Sequence, residues 1–193
     1  MTDAKELTGQ WDYSTLPSNV RIGEGCYLEG RGSFNRFRSK HDPGLVLGHR
    51  VKVYNWAALS VEPEGYLEVG DDSTLVGPVF WCGHRIIIGR RVVISYNVMI
   101  ADSDFHPKDP VLRRADAIAV SPYGDANLRP AIEYRPVVIE DDVRIGIGAI
   151  ILKGVTVGAG ANIWPGAVVS RDVPAGATIA GNPARAVEAE AFS

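Results

Sequence analysis

Between Val137 and Gly181 one apolar position returns every sixth residue, at Ile139, Ile145, Ile151, Val157, Ile163 and Val169. A second series runs two residues ahead of it, through Val137, Val143, Ala149, Val155, Ala161, Ala167, Val173 and Ile179, and glycines keep the same period at Gly148, Gly154, Gly160 and Gly166. An amphipathic helix repeats at about 3.6 and a lone strand at 2, so a strict six predicts a short strand plus a tight corner, repeated. The two apolar positions of a unit lie two apart and point to one side of the strand, while the glycine relieves the backbone at the bend. No unit buries its own face, so stacked units must share one apolar interior. Such strands close most simply into a prism of three flat faces with eighteen residues to a coil. The expected fold class is all-β, a parallel β-helix.

Upstream the period is present but broken. It starts at Val20, with Ile22-Gly23 and Leu28-Glu29, and resumes with Leu47-Gly48, Val53 and Leu59 after a basic, Gly/Pro-containing interruption around Arg36 to Gly44. Val69-Gly70, Leu75 and Trp81 step by six again; the register then slips by one residue before Ile88-Gly89, Ile94 and Ile100-Ala101, which predicts a bulged corner at Cys82 to Arg85. Ile139 follows Ile100 by 39 residues, one step of six with an insertion of 33. Residues 1–18 show no period and read as an N-terminal extension, polar but for Trp11 and Tyr13. Residues 19–182 read as the β-helix with an inserted loop at 102–136. Residues 183–193 read as a short capping helix, with Asn182 as N-cap and Pro183 at its first position.

Composition narrows the field. Twenty Lys and Arg against 23 Asp and Glu give a net charge of −3 without a basic run, which argues against a nucleic-acid or membrane surface as the main partner. No apolar run approaches the ~18 residues of a membrane span. Met1 to Gln10 carries Asp3, Lys5 and Glu6 and no apolar core, so a signal peptide is not expected and a cytoplasmic location is. Cys26 and Cys82 have no metal-pair spacing, and packed thiols are the simpler reading.

The chemistry is expected where the chain leaves the scaffold. The segment Asp102 to Pro136 holds five prolines and four arginines without a sustained period, and it opens on Asp102-Ser103-Asp104-Phe105-His106-Pro107. Loops longer than about 12–15 residues without structure of their own are usually functional or disordered. An imidazole with an ordinary pKa near 6.5 can take a proton from a hydroxyl or amine at neutral pH and hand it on, so His106 is the candidate general base; a histidine that merely caps the loop is the competing reading. Asp102 or Asp104 can orient its ring, or cap turns instead. Trp81 is a candidate to stack on a substrate ring or to fill the core, His84 to bond a hydroxyl, and Asn97 to do the same or to sit at a corner.

The repeat, ending in Val-Ser-Arg-Asp-Val-Pro at Val169 to Pro174 and Ile-Ala-Gly-Asn-Pro-Ala-Arg at Ile179 to Arg185, resembles the hexapeptide-repeat acyltransferases, and most of all the galactoside and maltose O-acetyltransferase group. The resemblance implies a left-handed coil, a homotrimer with its active sites between subunits, acetyl-CoA as acyl donor, and a sugar or sugar-containing acceptor attacked directly at its hydroxyl. N-acetylation of an amino sugar is the near alternative. His106-Pro107 matches the step that carries the catalytic base. Ser170, Arg171 and Arg185 match contacts to the donor's nucleotide end, Ile147 and Pro165 match backbone contacts, and Trp164 lies beside the latter. Glu188 stands where the galactoside group has a further arginine, and the residues that bind sugar hydroxyls there do not recur before Ile88. Two other functions share this kind of repeat. Zinc carbonic anhydrases need three converging histidines, and His41, His49, His84 and His106 contain no pair at the required spacing, so no metal is expected. A non-catalytic scaffold is the third reading.

Overall fold

The six-residue period becomes a stack of three-sided coils in the computed structural model, which describes residue 13, residues 15–54 and residues 56–188. Strands of two to four residues form three sheets of six, eight and five strands. Pairing is parallel except at the last strand, and the registers are those of the repeat: Ile139 pairs with Val157, Ile145 with Ile163 and Ile151 with Val169, each eighteen residues on. Every residue of the first apolar series is at most 1% exposed, and every residue of the second at most 6%. Burying such a side chain is worth about 1.5–3 kcal/mol, and here one interior collects that gain from each coil. Gly148, Gly154, Gly160 and Gly166 turn the corners at φ of +70°, +76°, +68° and +70°. Those angles strain any residue with a Cβ.

The chain visits the three faces in fixed order. The third face, Ala58–Val61, Val79–Cys82, Met99–Ala101, Ile150–Ile151 and Val168–Val169, leads through a corner to the first face, which includes Tyr66–Val69, Arg85–Ile88, Val137–Ile139 and Thr156–Val157. In the early coils Leu28, Leu47, Val53, Leu59, Val69 and Leu75 all lie in the interior. Among the described residues no helix is long and apolar enough to cross a membrane.

The slip in register has a different cause from the one the spacing suggests. Phe80 and Cys82 fill the interior, and Trp81 between them points outward and is half-buried. Leu75 therefore reaches its successor in five steps, and the following corner is longer, so that Val69 pairs with Ile88, nineteen residues on. The bulged corner lies where expected. The buried carboxylate of Asp102 accepts hydrogen bonds from the backbone N–H groups of Gly83 (2.9 Å), His84 (2.7 Å) and Arg85 (2.8 Å) and fixes its shape. Burial, with the Asp102 charge beside it, pushes the Cys82 thiol far above its ordinary range, as expected of a packed thiol.

Both ends depart from or exceed the sequence reading. The capping helix expected over 183–193 does not form in residues 183–188: Arg185–Ala186 is a strand that pairs antiparallel with Thr178–Ala180. Ala184 donates its N–H to Val168 and Val187 to Thr178, so backbone groups at the open end of the stack are satisfied by a folded-back strand. Residues 189–193 lie outside the described residues. So do residues 1–12, Trp11 included, while the Tyr13 hydroxyl donates to the Cys26 carbonyl at 3.1 Å.

The insertion has structure of its own. Helix α1, Pro110–Ala119, is capped by the Asp109 carboxylate, which accepts from Val111 and Leu112 at 2.9 Å, and Pro110 occupies its first turn. A short 3-10 turn follows at Ala126–Leu128.

Candidate active site

His106 is delivered by a strained turn. Phe105 adopts φ +64°, and the His106 N–H donates to the Asp104 carbonyl two residues back at 2.7 Å. A non-glycine residue in that region costs about 1–3 kcal/mol and persists only where its surroundings hold it. Here the Phe105 ring meets Trp81 edge-on at 5.5 Å, and Arg129 Nη2 donates to the Phe105 carbonyl at 2.9 Å.

The imidazole is oriented from α1. His106 Nδ1 lies 2.5 Å from Asp116 Oδ2, and Arg129 Nε donates to the other oxygen, Oδ1, at 2.6 Å. Asp116 is fully buried. Burial alone would raise its carboxyl, but the His106 and Arg129 hydrogen bonds outweigh that and hold it below the usual carboxylate range. An ionised carboxylate can only accept, so Nδ1 carries a proton, and in the neutral ring the lone pair falls on Nε2. The His106 side chain is 51% exposed, and its ring opens into a cleft of about 280 Å³. Trp81, Phe105, Ile132 and Tyr134 give this cleft carbon-rich walls, and Glu62 also lines it. A Cβ on Gly83 would stand 2.1 Å from the Tyr134 ring, so only glycine lets that wall close.

The two ends of the insertion are tied to the scaffold at one lysine. Lys153 Nζ, on a side chain 10% exposed, donates to Asp104 and to Glu133 at 2.8 Å each. The Lys153 hydrogen bonds, foremost, hold Asp104 and Glu133 below their usual ranges; Lys153 itself is raised, its burial outweighed by the two carboxylates. Arg135 N–H to the Asp102 carbonyl, at 2.8 Å, and a bridge between Ser103 and Tyr134 close the base.

The expected site residues fall into separate places. Trp81 joins His106 in the cleft. Asp102 and Asp104 do not touch the imidazole: the first holds the corner at 83–85, the second holds Lys153 and Lys108. Asp116 and Arg129 are the partners that the sequence reading did not name. The signal for Asp116 was the Asp-Pro pair at 109–110, a helix N-terminus, ahead of Leu112, Arg113, Arg114 and Ala115. His84 faces a different depression, with His41, Glu64, Tyr66 and Arg85. Asn97, at φ +56°, sits three residues past Ile94, as Gly148 does past Ile145 and Gly166 past Ile163, so it fills a corner seat. Ser170, Arg171 and Arg185 meet along a groove of about 200 Å³ at the end of the stack. Ile147, Trp164 and Pro165 lie on another corner, between the second and third faces; the Ile147 carbonyl there accepts from Gly166 at 2.9 Å. Among the described residues no three His, Cys, Asp or Glu side chains are grouped so as to hold a metal ion.

Comparison with known proteins agrees with this architecture. Residues 136–171 match the family model for bacterial transferase hexapeptide (six repeats). A 2,3,4,5-tetrahydropyridine-2,6-dicarboxylate N-acetyltransferase of Staphylococcus aureus is 58% identical over 53 residues, 28% of this chain and 22% of that protein, so the match spans about a fifth of the length of the curated relative. Among solved structures, a hexapeptide-repeat acetyltransferase from Vibrio cholerae, complexed with acetyl coenzyme A, superimposes with a TM-score of 0.57 at 28% identity over 81% of this chain and 73% of that one. A maltose O-acetyltransferase from Clostridium difficile does so with a TM-score of 0.51 at 24% identity over 88% of this chain and 65% of that one, a likeness of fold. The repeat over residues 136–171 and the fold thus resemble those of hexapeptide-repeat acetyltransferases.

Proposed function

We propose that the protein is an acetyl-CoA-dependent acetyltransferase that moves an acetyl group to a hydroxyl of a sugar or sugar-containing acceptor. The observation that carries this reading is the His106–Asp116 pair, with His106 lining an aromatic cleft. His106 Nε2 takes the proton of the acceptor hydroxyl as its oxygen bonds to the thioester carbonyl carbon. The carbon–sulfur bond then breaks, and the same proton passes to the departing thiolate, leaving the acetyl ester and free CoA. Asp116 holds the ring in the tautomer that can accept and stabilises the imidazolium between the two transfers. The donor's phosphates would meet Arg171 and Arg185 with Ser170, in the groove where the three converge, and its pantetheine arm would follow the corner at Ile147, Trp164 and Pro165.

That corner and the His106 corner are different edges of one prism. A homotrimer of left-handed coils, in which His106 of one copy faces the donor groove of the next, would bring them together. Val111 and Ile118 of α1, 76% and 61% exposed, offer apolar surface for such a contact. Transfer to an amine is the second reading, since the Staphylococcus aureus relative is an N-acetyltransferase.

The test is transfer itself. Wild-type protein with acetyl-CoA and a panel of sugars should release free thiol and yield a product whose acetyl group hydroxylamine removes, as it removes esters and not amides. A hydroxylamine-resistant product would establish the amine reading. Failure of acetyl-CoA at about 100 times a typical Kd to raise the melting temperature, against an expected gain of about 2.7 kcal/mol, would refute the donor.

A further inference from the structure

The first interruption of the repeat, the basic stretch from Arg36, reaches the same cleft as the second. Its backbone is pinned to the third face: the Arg38 N–H donates to the Val61 carbonyl at 2.8 Å, the Val61 N–H donates to the Arg36 carbonyl at 3.2 Å, and Phe37 bridges to Val61. This anchoring sets the Arg36 guanidinium over the Trp81 ring, 5.5 Å from its centroid.

The carboxylates around the cleft are otherwise engaged, Asp102 by the backbone N–H groups at 83–85. Glu62 is held by Arg38 at 2.8 Å, and Asp116 is held by Arg129 and His106. Arg36, among the described residues, has a ring and no carboxylate. Contact with an aromatic face fixes a guanidinium while leaving its N–H edge available, the arrangement in which arginine receives a carboxylate or phosphate. Arg36 therefore brings to the cleft a positive charge with no carboxylate of its own, on a support anchored beside the wall that His106 shares.

We propose that the acceptor carries an anionic group, a carboxylate or a phosphate, and that Arg36 receives it while the reacting group lies at His106. This rests on the acetyltransferase reading above and adds the acceptor's charge. An ammonium on the acceptor is disfavoured, because Glu62 and Asp116 already have cationic partners and Asp102 is buried, its oxygens taken by backbone N–H groups.

The experiment compares glucose, glucuronate and glucose 6-phosphate as acceptors and as ligands, by thiol release and by calorimetry, for wild type and Arg36→Gln. Arg36 is exposed, and its backbone bonds to Val61 do not involve the side chain, so the variant should fold normally. The expected result is about tenfold or more tighter KM or Kd for one or both charged sugars than for glucose, a preference that Arg36→Gln abolishes while leaving acetyl-CoA binding unchanged. Which charged sugar shows it tells carboxylate from phosphate. Arg36-dependent binding of the charged sugars with no transfer to any acceptor would uphold the subsite and reject the acetyltransferase reading. Transfer to glucose as efficient as to the charged sugars, or no preference by either readout, or a preference that survives Arg36→Gln, would overturn the inference.

Discussion

His106 and Asp116 stand ten residues apart in the chain and 2.5 Å apart in space, joined because a left-handed turn at Phe105 and the middle of α1 converge on one buried point. Replacing Asp116 by Asn keeps the volume but removes the charge that fixes the imidazole tautomer. Turnover should fall by about 10²–10⁴, with acetyl-CoA binding unchanged. A steady-state comparison in which kcat drops less than threefold would show that the pair is structural.

The same pair makes a pH prediction. The folded Asp116 carboxyl is depressed below its unfolded value, near 3.9. Its contribution to stability is therefore fully present above about pH 4 and lost as pH falls through the folded value. Wild type should melt higher than Asp116→Asn from neutral pH down to about 5, and the gap should close below 4. A gap that widens in acid would contradict the assignment of the ionised carboxylate.

Lys153 predicts a coupling between scaffold and insertion. Lys153→Met removes the cation shared by Asp104 and Glu133, which flank the insertion's two ends, and leaves two carboxylates side by side. Amide exchange across 102–136 should accelerate and kcat should fall, while exchange in the coils from Val137 onward stays slow. Uniform acceleration through the whole chain would mean that Lys153 supports global stability instead.

Asn97 separates a corner role from a binding role. Its position is one that glycine fills in later coils, so Asn97→Gly should leave stability within about 0.5 kcal/mol and turnover unchanged, while Asn97→Ala should cost about 1–2 kcal/mol. Loss of acceptor affinity in Asn97→Gly would return this residue to the substrate site. In the interior, Ile145→Ala should cost about 2–5 kcal/mol by denaturant unfolding.

The solenoid was readable from the sequence because its period is local: each Ile or Val of the 139–169 series announces its own inward position and its neighbour's. Trp81 was misplaced for the same reason. A six-residue count carried from Leu75 lands on it, whereas Phe80 and Cys82 win the interior by filling it with purely apolar volume, and the two-sided alternation of a strand then turns Trp81 outward. Asp116 left no periodic trace, since its position depends on how a capped helix folds back onto the turn at Phe105 and His106, ten residues earlier. The end of the chain misled through Asn182-Pro183, which carries the signal of a helix start, while the unpaired edge at Val168 and Thr178 recruits a strand. What a residue does within the repeat follows from spacing; what it does in the insertion follows from tertiary contacts.

His106 stands or falls as the base for transfer from acetyl-CoA on one comparison. The most direct test is thiol release from acetyl-CoA, across neutral and anionic sugar acceptors, by wild type and by His106→Ala, with acetyl-CoA binding measured on both. The expected result is acceptor-dependent release by wild type, a loss of about 10²–10⁴ in the variant, and equal donor binding. Equal release by the two proteins, or acetyl-CoA binding with no release to any acceptor, would contradict it.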